Sequence, residues 1–306
     1  MKQICILALL LATSLVLADE KKPAEGKKKE RGFEVVWQIT EGLKAPESIY
    51  LDPDSGFLFL SQIGEGGGAG KDGDGWISKI TTDGKMVENK WVTGFNAPKG
   101  LRSHGGTLWV SDIDRVVAVD IAKGEIKQEI SVPDAKFLND LATDADGNVY
   151  VSDMVASRVF KITDGKASIF VEGEEIQHPN GLLVDGGSLV LGGWGKGFNE
   201  DFSTDILGQL QKVDLKTKER TVVTPKPTGY LDGIEADGRG GYIVTDWRNG
   251  KLFHISKKGK ARVVKTFPRG LADHAYLVDK ALLILPEMLE GKLTAYRYGK
   301  AKKSKK

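Results

Sequence analysis

The sequence predicts an all-β fold, namely a six-bladed β-propeller with four-stranded antiparallel blades. Three observations predict it: a similar segment recurs six times, tight turns rich in Asp and Gly interrupt each segment, and glycine is abundant. The chain has 306 residues, of which 38 are Gly, about 12% against a usual 7% or so. This composition argues against a helical bundle, whereas 28% charged and 40% hydrophobic residues are typical of a globular protein.

The repeats are six segments with a common pattern. Each begins with a short lead, often of small residues or Pro, continues with alternating apolar residues and an Asp/Gly turn, and ends with a second run of β-favouring residues. They read APESIYLDPDSGFLFLSQ, APKGLRSHGGTLWVSD, FLNDLATDADGNVYVSD, HPNGLLVDGGSLVLGG, YLDGIEADGRGGYIVTD and LADHAYLVDKALLILPE. The alignment places one polar residue of each at Glu47, Lys99, Asn139, Asn180, Asp232 and Asp273. Spacings of 52, 40, 41, 52 and 41 residues are typical of propeller blades, and six such units fill residues 33–299.

Each repeat predicts a hairpin between an inner strand and a second strand. The turns SGF, GGT, DGN, GGS, GGY and DKA supply the residues that tight hairpins favour. The recurrent Val-Ser/Thr-Asp ending places Asp112, Asp153 and Asp246 where a short carboxylate accepts from backbone N–H groups of the next turn, so we interpret them as structural. The run Phe33 to Thr40 is expected to complete the sixth blade, because an open seam would expose strand edges.

Two blades carry insertions of about a dozen residues between their second and third strands, which explains the two longer spacings. They run from Ile63 to Trp76 in the first blade and from Gly193 to Ile206 in the fourth. Because each strand of a meander reverses direction, this connection lies at the end where the inner strand begins. Both insertions are expected to border that end of the channel, from opposite blades, and to decide the substrate.

Residues 1–18 have the pattern of a secretory signal peptide, with Lys2, an apolar run and a small residue, Ala18, at the end. The alternative is an uncleaved anchor, but the run is shorter than the roughly 20 apolar residues that span a bilayer. The sequence therefore predicts an exported protein, periplasmic or secreted, without stable membrane insertion after cleavage. Cys5 is the single cysteine, so the mature chain would have no disulfide, Cys-ligated zinc or catalytic thiol.

The net charge of +2 is unevenly distributed. Residues 19–32 form a charged linker in which residues 19–31 carry six basic and four acidic side chains, and the tail, residues 300–306, carries five Lys. Subtracting these and Lys2 leaves residues 32–299 with a charge of −6. A nucleic-acid partner is not expected, since it requires a basic face. A small-molecule substrate is expected, and protein partners are not specified.

The six aligned polar residues should converge at one mouth of the central channel, because each begins an innermost strand. Four of them offer hard oxygen ligands, which suit Ca²⁺ best, with Mg²⁺, Mn²⁺ or Zn²⁺ as alternatives, of which Zn²⁺ is disfavoured because it prefers nitrogen and sulfur. These residues are Glu47, Asn139, Asn180 and Asp232. The alternative is that they cap backbone groups or hold water in the channel.

The motifs "PES", "LND", "PNG" and "LDG" at successive blade starts resemble the family of senescence marker protein (regucalcin), gluconolactonase and luciferin-regenerating enzyme. Relatives of this family include diisopropylfluorophosphatase and paraoxonase. The resemblance spans residues 33–299 and implies a six-bladed propeller with a divalent cation, usually calcium, in the channel. It implies that the cation is held by a Glu, two Asn and an Asp, which are matched in order by Glu47, Asn139, Asn180 and Asp232.

The resemblance further implies hydrolysis of a lactone or related ester, in which the cation polarises the carbonyl oxygen. Asp232 would activate water or attack directly, and Asn139 would be the ligand nearest the substrate. The chain departs from the gluconolactonase pattern at Phe137, where an Arg is usual, and at Ser48 and Ile49, where a Trp is usual. These departures argue against a sugar-lactone substrate.

Four further polar residues are candidate substrate contacts: Lys99, Asp273, His274 and His178. Lys99 either binds an anionic substrate or pairs with Asp273 or Glu47. His274 faces either the channel, where it would be suited to proton transfer, or the packing between blades. The leading hypothesis is a metal-dependent lactonase or esterase, and the alternative is a non-catalytic binding propeller with a structural cation.

Overall fold

Residues 33–299 are described by the computed structural model, and over them six four-stranded antiparallel sheets form the blades of a β-propeller. The predicted fold is therefore confirmed. The expected signal peptide at residues 1–18, the linker at residues 19–32 and the tail at residues 300–306 lie outside the described residues. Within residues 33–299 no helix is both long enough and apolar enough to cross a membrane.

The chain enters the ring through an outermost strand and then builds each blade from the channel outwards. The first half of the ring comprises β1 (Glu34–Ile39), which belongs to blade 6; blade 1 with β2 (Pro46–Leu51), β3 (Leu58–Gln62), β4 (Gly75–Ile80) and β5 (Met86–Phe95); blade 2 with β6 (Pro98–His104), β7 (Thr107–Asp112), β8 (Arg115–Asp120) and β9 (Glu125–Ser131); and blade 3 with β10 (Leu138–Thr143), β11 (Val149–Asp153), β12 (Arg158–Thr163) and β13 (Lys166–Glu172).

The second half of the ring follows the same order, with an extra hairpin in blade 4. It comprises blade 4 with β14 (Pro179–Asp185), β15 (Ser188–Gly193), β18 (Leu210–Asp214) and β19 (Arg220–Val222), and the hairpin of β16 (Gly195–Phe198) and β17 (Thr204–Leu207); blade 5 with β20 (Leu231–Ala236), β21 (Tyr242–Asp246), β22 (Lys251–Ile255) and β23 (Ala261–Thr266); and blade 6 with β24 (Ala275–Leu277), β25 (Leu282–Glu287) and β26 (Lys292–Arg297). Short 3₁₀ helices lie at Glu174–Ile176, Val278–Lys280 and Met288–Glu290.

The ring is closed by the first strand, as the sequence predicts. β1 pairs with β26 as the outermost strand of blade 6, with Val35 opposite Tyr296 and Trp37 opposite Ala295. Near the channel, the backbone N–H of Ile49 in blade 1 donates to the carbonyl oxygen of Asp273 in blade 6 at 3.3 Å. The first and last blades are thus joined by a backbone hydrogen bond near the channel, and β1 covers the outer edge of β26.

The hydrophobic core is divided into clusters between neighbouring blades. Leu60 of blade 1 clusters with Ile284 of blade 6, and Phe59, on the opposite side of the same strand, clusters with Leu108 of blade 2. The same alternation places one cluster at each of the remaining four blade interfaces. Each second strand therefore buries both faces, which explains its nearly continuous apolar sequence.

A β-bulge at the start of the inner strand shapes the channel in blades 1 to 5. In blade 5, Leu231 pairs with Asp246 and Ile234 with Val244, so two inner-strand residues, Asp232 and Gly233, oppose Thr245 alone. The same shift occurs in blades 1 to 4. Bulges interrupt the alternation of sides and redirect side chains. We call the first bulged residues the mouth ring (Glu47, Lys99, Asn139, Asn180, Asp232, with Ala272 in blade 6) and the second ones the inner ring (Ser48, Gly100, Asp140, Gly181, Gly233, with Asp273 in blade 6).

The aspartates that end the second strands are structural, as predicted, but Asp112 and Asp153 accept from the segment that leads into the inner strand, and Asp246 accepts from the turn that follows. The carboxylate of Asp112 accepts from the backbone N–H of Ala97 at 2.7 Å, and that of Asp153 accepts from Phe137 at 3.0 Å. Both donors precede the inner strand of the same blade, so these aspartates fix the entry to that strand. Asp246 accepts from the N–H of Asn249, in the turn that follows, at 3.0 Å.

Candidate functional site

A cavity of about 280 Å³ lies at the end of the channel where the inner strands begin. The four predicted cation ligands, Glu47, Asn139, Asn180 and Asp232, all line this cavity. Lys99 of the mouth ring lines it as well. The structure thus brings together five of the aligned positions, one from each of blades 1 to 5, from residues up to 185 positions apart in the sequence.

Hydroxyl groups of the second strands hold the mouth ring from the neighbouring blade. Ser111 donates to the carbonyl oxygen of Asn139, and Thr245 donates to that of Ala272 at 3.1 Å. Ser152 donates in the same way to Asn180, at 2.7 Å. The Ser/Thr of the Val-Ser/Thr-Asp motif therefore positions the mouth residue of the next blade, a function that the sequence interpretation assigned only to its Asp.

The sixth member of the mouth ring is Ala272, which corrects the alignment at Asp273. Thr245 of blade 5 donates to the carbonyl oxygen of Ala272, as Ser152 of blade 3 does to that of Asn180. Asp273 lies one residue further along the chain, before β24, in the inner ring, and is outside the cavity lining. The sequence alignment matched Asp273 with the mouth ring, although the residue at that position is Ala272. The sequence of one strand does not show which residues are bulged, because a bulge is defined by pairing with the neighbouring strand.

Three oxygens of the mouth ring are buried without a hydrogen-bond donor among the described residues: Oε2 of Glu47, Oδ1 of Asn180 and Oδ1 of Asp232. Burial, and then the nearby charge of Asp273, raise the pKa of Glu47 well above its usual range. Burial and then Glu47 do the same to the pKa of Asp232. Buried oxygens without donors cost several kcal/mol, and a divalent cation would compensate this cost.

The chemistry of the mouth ring fits a hard cation. Its oxygens come from two carboxylates and two amides, the donor set that Ca²⁺ accepts in proteins. Among the described residues there is no group of three or more His, Cys, Asp or Glu side chains that could hold a metal ion. That finding is compatible with this set because two of its four members are Asn.

Lys99 forms neither of the predicted ion pairs. Its ammonium donates to the carbonyl oxygen of Ala97 at 3.0 Å and lies 4.6 Å from the ring centroid of Phe137. Burial lowers the pKa of Lys99 to about 8, although the charge of Glu47 opposes this shift. Lys99 therefore presents a nearly buried cation to the cavity, beside the unpaired oxygens, and stays a candidate substrate contact.

The inner ring contains a hydrogen-bonded charge network just beneath the mouth ring. The carboxylate of Asp140 accepts from the backbone N–H groups of Leu141 and Leu182, both at 2.7 Å. Asp273 accepts from the hydroxyl of Ser48 at 2.7 Å and lies 3.5 Å from the guanidinium of Arg102. Each aspartate thereby links its own blade to a neighbour.

Glycines in the inner ring make room for this network. A Cβ atom on Gly100 would collide with Asp140, and one on Gly233 would collide with Asp273. Glycine at these positions allows the close approach of neighbouring inner strands. The Gly of the "LDG" motif is thus explained by packing against an inner-ring carboxylate.

The two predicted histidine contacts lie outside the cavity lining. His274 is fully buried, and burial, followed by the charge of Arg102, lowers its pKa to about 3, so it is neutral. Nδ1 of His178 is 2.9 Å from the carbonyl oxygen of Met154, and its ring stacks on that of Phe198 with centroids 4.7 Å apart. Of the two readings of His274, the structure places it in the packing between blades.

Apolar side chains form a collar around the mouth, which the sequence interpretation missed. In five blades the residue directly after the second strand lines the cavity, and we call these residues the apolar collar: Ile63, Met154, Trp194, Trp247 and Met288. The equivalent residue of blade 2, Ile113, packs with Ile63. The signal was present in the repeat, since every unit has an apolar residue directly after the strand ending, but the ending was interpreted only as a turn.

The two insertions border the mouth, as predicted, and both reach Phe137. Phe202 of the blade 4 insertion meets the ring of Phe137 edge-on, with ring centroids 5.7 Å apart. Gly68 of the blade 1 insertion lies against the same ring and against Lys99, since an added Cβ would be 3.7 Å and 3.9 Å from them. Phe137 thus contacts both insertions above blade 3.

Comparison with known proteins is limited to the fold. No protein-family model matches the chain, and no curated protein matches its sequence. A gluconolactonase from Xanthomonas campestris superposes with a TM-score of 0.66 and 12% identity over 88% of this chain and 95% of that one. Catalytically inactive virginiamycin B lyase from Staphylococcus aureus, solved with quinupristin, superposes with a TM-score of 0.59 and 15% identity over 86% and 99%.

An extracellular domain of a two-component system has the same fold. This domain, from a hybrid two-component system of B. thetaiotaomicron, has a TM-score of 0.54 and 16% identity, with 82% of this chain and 33% of that one covered. At such identities the likeness establishes the propeller architecture, and the functional conclusion must come from the residues of the cavity.

Proposed function

We propose that this protein is an exported, divalent-cation-dependent hydrolase of small lactones or related esters. The observation that carries the proposal is the set of unpaired buried oxygens on Glu47, Asn180 and Asp232, which line one cavity. The similarity of fold to a gluconolactonase supports the reaction class. The signal-like pattern of residues 1–18 supports export.

In this proposal Glu47, Asn139, Asn180 and Asp232 hold the cation, with Ca²⁺ favoured by their oxygen donors. When bound, the cation supplies polarisation of the ester carbonyl and stabilisation of the developing negative charge. Asp232 accepts the proton of the attacking water, and Asn139, the most exposed of the four at 6%, orients the carbonyl. The apolar collar excludes bulk water from the reacting atoms, which strengthens the electrostatic interactions among them.

The size of the cavity limits the substrate to a small molecule. Its volume of about 280 Å³ is just below the roughly 300–1,000 Å³ that is typical of ligand pockets. A single lactone ring or a simple aryl ester is therefore the expected scale of the reacting part, whereas a macrocyclic substrate would have to remain largely outside.

The test is hydrolysis of γ-butyrolactone, δ-valerolactone and phenyl acetate by chelated protein, with Ca²⁺, Mg²⁺, Mn²⁺ and Zn²⁺ added back separately. We expect Ca²⁺ to restore turnover, and we expect Asp232→Asn to lower kcat by about 10²–10⁴-fold, the range for loss of general base catalysis. Asp185→Asn, at the far end of β14, is the matched control and should retain the wild-type rate. Turnover that survives both chelation and Asp232→Asn would contradict the proposal.

The second candidate is a ligand- or protein-binding propeller with a structural cation. It is favoured by one observation: the residues described as lining the cavity include no histidine for proton transfer. This candidate predicts that Ca²⁺ raises the melting temperature while no lactone or ester is hydrolysed. It also predicts that Asn139→Ala and Asn180→Ala weaken the Ca²⁺-dependent stabilisation equally, whereas in the hydrolase Asn139→Ala mainly lowers kcat.

A further inference from the structure

One side of the cavity mouth is a continuous wall of aromatic rings flanked by two arginines. The guanidinium of Arg269 lies 4.9 Å from the ring of Trp247, and the guanidinium of Arg248 lies 5.2 Å from the ring of Tyr230. Between them, Trp194 contacts both rings, with centroids 5.2 Å from Tyr230 and 6.4 Å from Trp247. We call these five residues the cationic wall; four of them line the cavity directly, and Tyr230 lies behind Trp194 and Arg248.

The two arginines differ in how far their charge is already paired. Arg248 donates to the carbonyl oxygen of Asp201 at 2.8 Å and lies 3.8 Å from the Asp201 carboxylate. Arg269 is exposed and has no carboxylate within ion-pair distance among the described residues. Stacking against aromatic faces fixes a guanidinium plane while leaving its N–H edge free to bind a carboxylate. Arg269 is therefore the better oriented free cation at the mouth.

The charges of the cavity favour an anionic group at the wall over the mouth ring. The carboxylates of Glu47 and Asp232 at the floor balance the two positive charges of a bound divalent cation, and Asp201 at the rim already interacts with Arg248. Lys99 is the remaining cation of the lining, but it lies beside the floor and donates to Ala97. A ligand whose carboxylate meets the wall can direct its other end to the floor, and the apolar collar lies along the path between them.

We propose that the cavity binds a small molecule with an apolar aromatic or aliphatic body and a carboxylate, held by Arg269 and Arg248 of the cationic wall. In taking this molecule as the substrate, the inference rests on the proposed function and specifies its substrate class: a lactone or ester that carries a carboxylate distal to the reacting carbonyl. The body of the ligand packs on Trp194, Trp247 and Met288, and its reacting end reaches Asn139.

The test separates binding from turnover by using two probes that cannot be hydrolysed as esters. Isothermal titration calorimetry compares 4-phenylbutyrate with its neutral amide, 4-phenylbutanamide, on the Ca²⁺-loaded protein. We expect the carboxylate to bind about tenfold or more tightly, and Arg269→Gln to remove most of that preference, because a charge-assisted bidentate contact is lost. The matched control is Arg239→Gln, an exposed arginine in the β20–β21 hairpin at the opposite end of blade 5, which should leave the preference intact.

For a second variant we expect the preference for the carboxylate probe to increase. Asp201→Asn keeps the backbone carbonyl that accepts from Arg248 and the side-chain oxygen that accepts from Ser203, but it removes the competing charge. We expect it to increase the carboxylate preference by about threefold. Equal binding of acid and amide by the wild type, or a preference that Lys99→Met removes and Arg269→Gln does not, would overturn the proposal.

The failure of one proposal can be distinguished from the failure of the other. If the carboxylate preference is present and depends on Arg269 but no ester is hydrolysed, the ligand class stands and the hydrolase does not. If neutral lactones are hydrolysed with Asp232 required but no acid preference is found, the hydrolase stands and the ligand class does not. A 4-carboxyphenyl ester, compared with the phenyl ester by kcat/KM, then tests whether the bound acid is a substrate.

Discussion

The mouth ring and the inner ring both contain buried carboxylates, one residue apart along the chain, yet these carboxylates are satisfied in different ways. In the mouth ring, Glu47 and Asp232 each have a buried oxygen without a donor. In the inner ring, Asp140 accepts from two backbone N–H groups, and Asp273 accepts from a hydroxyl and lies against Arg102. Both rings are removed from solvent, so burial by itself does not distinguish them.

The difference identifies which carboxylates belong to the fold and which are available for function. A buried carboxylate whose lone pairs are occupied by protein donors stabilises the arrangement of strands around it. One without donors raises the free energy of the folded state until a ligand supplies a positive charge. Removing an inner-ring aspartate should therefore weaken the fold, whereas removing a mouth-ring aspartate should weaken cation binding.

The largest effect on stability is expected for Asp273→Ala. The substitution removes one of the two ion-pair partners of the buried Arg102 guanidinium, leaving Glu235 at 3.6 Å, and it removes the acceptor of the Ser48 hydroxyl. Breaking a buried pair from one side typically costs 3–5 kcal/mol, so we expect a loss of about that size in the free energy of unfolding. Urea denaturation of the chelated protein measures it, and a loss of less than about 1 kcal/mol would contradict the structural role of the inner ring.

Glu235, deeper in the channel beside Arg102, is expected to make stability depend on pH. Burial raises the pKa of Glu235 to about 7, with the charge of Arg102 opposing the shift. Because the folded state binds this proton more strongly than the unfolded state, whose Glu pKa is about 4.3, stability falls as pH rises from about 4.5 to 7. The destabilisation caused by ionised Glu235 is absent below about pH 4.5 and complete above about pH 7.

Glu235→Gln tests this expectation, since Gln keeps an oxygen for Arg102 but does not titrate. We expect the variant to be more stable than the wild type by on the order of 2 kcal/mol at pH 8 and equally stable at pH 4.5. Melting temperatures of both proteins across that range, measured without divalent cations, provide the comparison. A difference between them that does not vary with pH would show that Glu235 does not titrate in this window.

At the mouth ring, Asp232→Asn is expected to raise the free energy of unfolding, whereas Asp273→Ala lowers it. In chelator the substitution removes a buried carboxylate that lacks a donor at Oδ1 and is repelled by Glu47. We expect a gain of about 1 kcal/mol in the free energy of unfolding, near the lower end of the cost of an unsatisfied buried group. Added Ca²⁺ should stabilise the wild type and not the variant. A variant that is less stable than the wild type in chelator would place Asp232 with the structural carboxylates.

The sequence was sufficient to predict the six blades and the closing strand, and it predicted that Glu47, Asn139, Asn180 and Asp232 meet at one cavity, because the blades and these positions recur with the repeat. It was insufficient at Asp273, since the bulge that separates the mouth ring from the inner ring is defined by cross-strand pairing. The charge network of Arg102 and Glu235 was also missed: those residues are 133 positions apart, and only the closed ring brings them together. The apolar collar could have been predicted from the sequence, because its members occupy the same position in their repeats.

The smallest effects on stability are expected for the hydroxyl groups that hold the mouth ring. Two of them allow a comparison, because one holds a predicted cation ligand and the other holds a residue that is not a ligand. Ser111 donates to the carbonyl oxygen of Asn139, a predicted ligand, whereas Thr245 donates to that of Ala272, which has no side-chain oxygen. Each hydroxyl contributes one buried hydrogen bond, so Ser111→Ala and Thr245→Val should each lower the free energy of unfolding by about 1 kcal/mol.

Only Ser111→Ala should also affect the cation, because Ser111 fixes the backbone of a ligand residue. Residues that orient ligands typically contribute 10–100-fold to metal affinity. We expect Ser111→Ala to weaken Ca²⁺ binding by about tenfold and Thr245→Val to leave it within about twofold, as measured by calorimetric Ca²⁺ titration. Equal affinities in the two variants, despite equal losses of stability, would show that Asn139 is not held in place for a cation. The mouth ring would then have one ligand fewer, and Asn139 would serve the substrate alone.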